Sequence, residues 1–348
     1  MKSKAGWIRG ELLTRPAGEA RSAYNQSIPT PEDRHLAQSI ITNWEPKHSA
    51  LYGKHIVHLQ HRLHESPLFS DDALADLIDR VPRQYYHVNT MNTDRHAPGT
   101  WREGDFAGAS GREVMDAVRN GNIWVLIQQV AELDPAYREV LDQLYGEFEH
   151  HVPGLETFKR KMSILISSPK VQVYYHCDIP GQSLWQLRGT KRVYMYPNSA
   201  PFLHPEAMEK IVLNEADEQD TPYEAWFDDY AEIVDLNAGE MLHWPIHSPH
   251  RVVNGDCVNV SFTTEHWTTP LRNHYANVYA NGILRRNLGI NPSITPSGPA
   301  LWAKLAIAGM HRQLGFRKKN KMAFKIDFRV DPQAPGGFSD IDAFELAK

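Results

Sequence analysis

The stretch Tyr174-Tyr175-His176-Cys177-Asp178, followed by Leu184-Trp185-Gln186-Leu187-Arg188-Gly189-Thr190-Lys191-Arg192, organises the rest of the chain. Its first half reads as a strand. A histidine and an aspartate two residues apart on a strand point the same way, because strand side chains alternate between faces. One imidazole and one carboxylate side by side are two thirds of the 2-His-1-carboxylate set that holds non-haem Fe(II) and leaves coordination positions open. The missing histidine is sought about seventy residues on, in Gly239-Glu240-Met241-Leu242-His243-Trp244-Pro245-Ile246-His247-Ser248-Pro249-His250.

Three histidines compete for that place. His250 is preferred because it opens a strand after the Trp244-Pro245 turn; His247 and then His243 follow. Asn254-Gly255 is a two-residue turn signal. It predicts a hairpin in which His250 faces Asn259 and Arg251 faces Val258, with His250, Asn259 and Ser261 on one face and Val258, Val260 and Phe262 on the other. Lys191 lies fifteen positions after His176 on a following strand. A cation there is placed to meet the distal carboxylate of a metal-bound diacid.

From Lys161 to Thr263 the pattern is strand after strand, broken by Pro, Gly and Asn turns, which indicates a sandwich or barrel. Residues 197–230 interrupt it with an acidic insertion, read as an exposed loop that would favour a basic peptide if it met substrate. Ahead of the strands, Ser70 caps a helix with the apolar face Leu74, Leu77, Ile78 and Val81. Ser110 caps another over 112–119, and Asp134-Pro135 opens a third with the stripe Tyr137, Val140, Leu141, Leu144 and Phe148. A short helix is expected near 31–44, strands at 84–89 and 123–130, and a polar loop over 92–108. After Pro270 two helices are expected, near 272–286 and 299–314, with Arg317, Lys318, Lys319 and Lys321 as a solvated end beyond the second. The fold expected is mainly β, with flanking N-terminal helices and a C-terminal helical appendage. The division expected is 1–110 as an N-terminal extension, 111–270 as the core and 271–348 as a helical region.

These motifs together resemble the JmjC or cupin-like Fe(II)/2-oxoglutarate oxygenases, nearest in flavour to the asparaginyl-hydroxylase branch and its bacterial relatives. The resemblance rests on His176-Cys-Asp178, Gln186-Leu-Arg-Gly189-Thr-Lys191-Arg192, Pro197 and Gly239-Glu240 through Trp244-Pro245 to His250. It implies a double-stranded β-helix (jelly-roll, cupin) core, with His176, Asp178 and His250 as iron ligands and Lys191 as the anchor of the 2-oxoglutarate C5 carboxylate. The family's threonine three residues before the first ligand is Val173 here, and its asparagine on the last core strand is Ser261. Tyr174, Gln182 or Asn259 would then supply the missing hydrogen bond to the co-substrate. Gln128, Gln182 and Trp185 are the substrate-lining candidates. The implied reaction consumes O2 and 2-oxoglutarate, releases succinate and CO2, and hydroxylates a protein side chain or a small molecule. A metal-dependent cupin that does not use 2-oxoglutarate, and a non-catalytic cupin-fold binding protein, are the alternatives. The C-terminal helix pair resembles the dimerising appendage of protein hydroxylases in this branch, which implies a homodimer.

Composition narrows the partners. A net charge of −5 and a pI near 6.4 give no pull towards nucleic acid. The segment Met1–Gly10 lacks an apolar core, so no signal peptide is expected, and no apolar run is long enough to span a membrane. Two cysteines, Cys177 and Cys257, are too few for a disulfide scaffold; both read as buried thiols in a reducing cytoplasm.

Overall fold

The computed structural model describes residues 38–90, 101–316 and 323–347. From Ile40 onward the chain forms one compact unit of mixed helix and sheet. Its strands are β1 (Val57–Gln60), β2 (Tyr86–Thr90), β3 (Arg102–Asp105), β4 (Trp124–Ile127), β5 (Phe158–Ser167), β6 (Gln172–His176) and β7 (Gly181–Arg188). They continue with β8 (Thr190–Met195), β9 (Glu232–Asn237), β10 (Glu240–His243), β11 (His250–Asn254), β12 (Asn259–Trp267), β13 (Ala323–Val330) and β14 (Phe338–Ala347). The helices are α1 (Pro46–Leu51), α2 (Asp71–Arg80), α3 (Gly111–Asn120), α4 (Val130–Leu133), α5 (Pro135–His151), α6 (Pro205–Val212), α7 (Thr269–Leu288) and α8 (Gly298–Gln313).

Two sheets result, a ten-stranded one in the order β1-β10-β7-β12-β5-β4-β2-β3-β13-β14 and a four-stranded one in the order β6-β11-β8-β9. From β5 onward the chain passes back and forth between them: β5, β7, β10 and β12 belong to the large sheet, β6, β8, β9 and β11 to the small one. Side-chain alternation gives the central strands two buried faces. On β7, Trp185 joins a core with Phe148 of α5 and Phe262 of β12. Its neighbour Leu184 points the other way and packs with Val193, Met195, Leu242, Trp244 and Val252 between the sheets.

The helices form where their caps predict. The Ser70 hydroxyl accepts from the Ala73 N–H at 3.3 Å, and α2 buries Leu74, Ala75, Leu77 and Ile78. Ser110 and Glu113 make a reciprocal capping box on α3. Asp134 accepts from the Ala136 N–H at 2.8 Å, and Pro135 starts α5, where its missing N–H costs nothing.

Several expectations are corrected. The predicted hairpin at Asn254-Gly255 does not form: β11 pairs with β6 and β8 in the small sheet, β12 with β5 and β7 in the large one. The Gly255 N–H donates to the Thr190 carbonyl at 2.8 Å, and a Cβ at Gly255 would lie 2.3 Å from the Thr190 hydroxyl. The Asn254 amide donates to Ser167 Oγ at 2.7 Å. Each strand therefore already has two partners, and residues 255–258 carry the chain across between sheets. Cys257 lies on this crossing and is exposed; only Cys177 is buried.

The polar segment 92–108 contains β3, while residues 91–100 lie outside the described residues. The helix expected near 31–44 is not seen over 38–45; the helix begins at Pro46, and 31–37 lie outside the described residues. The C-terminal region is not helical throughout. β13 runs parallel to β3 and antiparallel to β14, extending the large sheet, because Phe324, Ile326, Phe328 and Val330 alternate with Lys325, Asp327 and Arg329. The basic run over 317–321 lies outside the described residues. The acidic insertion is partly core: Met208, Ile211 and Val212 of α6 pack with Tyr279 of α7 and with Cys177.

A candidate metal centre and a buried ammonium

His176 ends β6, and His250 opens β11 directly opposite it. Asp178 follows two residues after His176. One ligand atom from each of His176, Asp178 and His250 lies within 4.8 Å of the other two. The two imidazole rings are 4.2 Å apart between centroids, and His250 Nε2 is 3.4 Å from Asp178 Oδ2.

Both rings are held by the same local device. His176 Nδ1 donates to the Tyr174 carbonyl at 2.7 Å, and His250 Nδ1 donates to the Ser248 carbonyl at 3.1 Å. Each proton thus sits on Nδ1, and each bare Nε2 faces the shared space, an assignment made from the hydrogen-bond network. Burial, and after it the His176 ring alongside, holds His250 well below its ordinary pKa, so it stays a neutral ligand. Burial pushes the Asp178 carboxyl up, which a nearby divalent cation would reverse. Two imidazole lone pairs and a carboxylate converge on one space, and that set of ligand atoms fits a divalent transition metal.

Gln182 on β7 completes the setting of Asp178. With its amide nitrogen towards the carboxylate, it donates to Asp178 Oδ1 at 2.8 Å and also to Oδ2. The opposite orientation would place three acceptors against one another. Further along the same face, Glu265 of β12 pairs in register with Gln182. Burial, followed in Glu218 by the Asp178 charge, raises the carboxyls of Glu218 and Glu265.

Lys191 of β8 shares the inner face of the small sheet with Val193 and Met195. It is buried, and its ammonium donates to Ser261 Oγ of β12 at 2.7 Å, bridging the two sheets. Among the described residues no carboxylate pairs with it. Burial alone lowers its pKa from 10.5 to about 7. A buried cation with one hydroxyl as its partner suits an anionic ligand.

The remaining candidates separate by face. Tyr174 is buried on β6 two residues before His176, and its carbonyl fixes that ring. Asn259 faces inward, but its amide is engaged: it accepts from Gln186 Nε2 at 2.7 Å and donates to the Cys257 carbonyl at 2.9 Å. Gln128 follows β4 on the face shared with Leu126, which is in register with Leu165 and, through it, with Ser261. Trp185 is a correction. It points away from the site, is fully buried, stacks on Phe262 and donates to Thr264 Oγ1 at 3.0 Å.

His243 and His247 are not in the three-residue cluster. His243 stacks on Tyr52 at 4.0 Å, donates to the Gln182 carbonyl and accepts from the Gly53 N–H. Its burial drives the pKa to about 3. His247 sits on the β10–β11 loop in a left-handed conformation (φ 59°), its ring 5.1 Å from that of His274. Sequence reasoning had no sign for the clamp on Asp178 by Gln182 beyond its place four residues on. Glu265 was visible only as a continuation of the Asn259, Ser261, Thr263 alternation.

No family model matches the chain, and no curated protein matches it. Solved structures similar to it include that of Escherichia coli YcfD, a ribosomal oxygenase, with cobalt and 2-oxoglutarate. That match has 18% identity and a TM-score of 0.45, and covers 79% of this chain and 67% of that one. A second structure of E. coli YcfD matches at 19% identity and a TM-score of 0.44, over 78% and 68% of the two chains. A third, with cobalt and succinic acid, matches at 18% and 0.43, over 81% and 69%. A likeness this distant carries no weight in the reading of the site. No helix among the described residues is long and apolar enough to cross a membrane.

Proposed function

We propose that the chain is an Fe(II)- and 2-oxoglutarate-dependent oxygenase that hydroxylates a protein side chain or a small molecule. The observation that carries this reading is the pairing of a converging two-imidazole, one-carboxylate donor set with a buried ammonium on the same sheet. His176, Asp178 and His250 would hold the iron, and Lys191 with Ser261 would grip the distal carboxylate of 2-oxoglutarate. The bound metal would supply O2 activation coupled to decarboxylation of the co-substrate to succinate. The chain's own part is orientation and dryness. Gln182 orients the Asp178 carboxylate, and the Tyr174 and Ser248 carbonyls keep both Nε2 atoms turned inward. Trp244 packs against His250 at 4.7 Å, and with Leu184 and Leu242 it forms an apolar wall that excludes water.

The finer fold we infer is a double-stranded β-helix, which the alternation of successive strands between facing sheets supports. A homodimer is part of the same reading. Trp302 and Met310 of α8, with Leu314 and Phe316 beyond it, stay exposed and favour self-association. A monomer by light scattering at micromolar concentration would overturn that part. A cytoplasmic location fits two free thiols. The test of the whole reading is succinate formation from 2-oxoglutarate with Fe(II), measured on the wild-type chain and on His176→Ala. Turnover that survives the substitution, or its absence from the wild-type with a broad panel of peptides and metabolites, counts against it.

A further inference from the structure

Between Ile211 and Leu242 the sequence holds ten acidic residues and no Lys, Arg or His. Some of this charge is neutralised from outside the segment: Arg286 pairs with Glu215, Arg251 with Asp228 and Arg192 with Asp235. Glu224, Asp229 and Glu232 are exposed, and among the described residues none of them has an ion-pair partner.

Glu224 caps, and Asp229 lies within, a turn that carries an aromatic surface; Glu232, opposite Met195, belongs to the inner face of the small sheet. The turn Ala225–Tyr230 is pinned from beneath by buried Phe227 and by Asp228. The Asp228 carboxylate accepts from Arg251 Nη2 at 2.6 Å and from the Tyr196 and Tyr223 hydroxyls. On this base the Trp226 ring packs against Phe227 at 4.6 Å and against Phe202 and Tyr230 at 5.9 Å, yet 44% of Trp226 and 65% of Tyr230 remain exposed. Ile233, at the start of β9, is 49% exposed and pairs with Tyr194, whose ring lies under the same Arg251 guanidinium that holds Asp228. β9 is the outermost strand of the small sheet and pairs with β8, which carries Lys191. Large aromatic rings fixed in place and facing water are costly on a free surface and typical of a contact surface.

We propose that Trp226, Tyr230 and Ile233, with the Glu224 and Asp229 carboxylates of the same turn, form a docking surface for an arginine-rich polypeptide segment. This rests on the oxygenase reading only in that such a segment would belong to its protein substrate. The commitment to arginine follows from chemistry. Carboxylates alone attract any cation, whereas a guanidinium plane also stacks on indole and phenol faces and lays its aliphatic stem along Ile233. Because Phe227 and Asp228 already fix the rings, little ordering opposes binding.

The test uses the full chain without iron or 2-oxoglutarate. The probe is a fluorescein-labelled dodecapeptide of alternating arginine and glycine, followed by anisotropy. The expectation is saturable one-to-one binding that weakens roughly ten-fold in Trp226→Ala/Tyr230→Ala. A similar loss is expected in Glu224→Gln/Asp229→Asn, with a flatter salt dependence. Asp76→Asn/Glu139→Gln, which removes exposed charge elsewhere, should bind as wild-type does. Tyr230→Ala alone serves if the double variant melts early. Equal binding by the aromatic variants, or equal loss in the control pair, overturns the proposal. Since the readout needs no turnover, binding without succinate formation would sink the oxygenase reading alone, and turnover without binding would sink this one alone.

Discussion

Replacing Lys191 by methionine should make the ligand-free protein more stable and the co-substrate site useless. The ammonium is buried, with Ser261 Oγ as its hydrogen-bond partner at 2.7 Å. Its pKa falls from 10.5 to about 7 through burial. At about 1.4 kcal/mol per pH unit, that displacement corresponds to roughly 5 kcal/mol of lost folding free energy at neutral pH, taken as an upper bound. Methionine keeps the volume and removes the charge, so the apo variant should melt several degrees higher, on the order of 5 °C for a chain of this length. The sign has a signature in pH. The unfolded chain holds a lysine proton that the folded chain sheds between pH 7 and 10.5, so wild-type stability rises across that window. The gap between variant and wild-type should therefore close as pH rises through it. Binding should move the other way. Leaving a buried carboxylate without its cation costs about 3–5 kcal/mol, which weakens 2-oxoglutarate binding by roughly 10²–10⁴-fold. Calorimetric titration of Mn(II)-loaded protein, beside thermal melts at pH 7 and pH 10, reads both effects. Affinity within three-fold of wild-type, or an apo variant that melts lower at pH 7 with a gap indifferent to pH, would refute the reasoning.

Other perturbations separate ligand, support and scaffold. Gln182→Ala frees the Asp178 carboxylate to rotate and should weaken Mn(II) binding about ten-fold, with the melting temperature nearly unchanged; unaltered affinity would show that the amide does not orient the ligand. His250→Ala should abolish stoichiometric Mn(II) binding. His243→Ala should retain it but lose about 2–4 kcal/mol, because it removes the stack on Tyr52 and the ring's hydrogen bonds to Gly53, Gln182 and Ser183. Urea midpoints at pH 7 and pH 5 test the buried neutral histidines. Burial holds His61 and His266 at about 4 and His243 at about 3. The unfolded chain takes up protons below pH 6.5 that these rings refuse, so their contribution to stability should be constant above that value and fall steadily towards pH 4. A midpoint that stays constant from pH 7 to 5 would contradict this.

What was legible in the sequence is what local periodicity encodes. His176 and Asp178 share a face because they are two apart, Lys191 falls on the next strand of the small sheet, and Ser70, Ser110 and Asp134 announce their helices. Pairing between distant strands is not encoded this way. Asn254-Gly255 carries a strong turn signal, yet Asn254 bonds to Ser167 and Gly255 to Thr190, and the two flanking strands part to different sheets. Trp185 lies between two stretches that line the site, but its own parity turns it into the helix-covered core. The β13 alternation of Phe324, Ile326, Phe328 and Val330 was present in the sequence; its partner β3 is four residues long and more than two hundred residues away.

The central claim is that His176, Asp178 and His250 close on one divalent ion while Lys191 grips a diacid beside it. Anaerobic crystallography with Mn(II) and N-oxalylglycine tests it most directly. One anomalous peak bonded to the two Nε2 atoms and the Asp178 carboxylate, with the distal carboxylate of the analogue on Lys191 Nζ, is the predicted result. A peak held by other side chains, or an analogue bound away from Lys191, would contradict it.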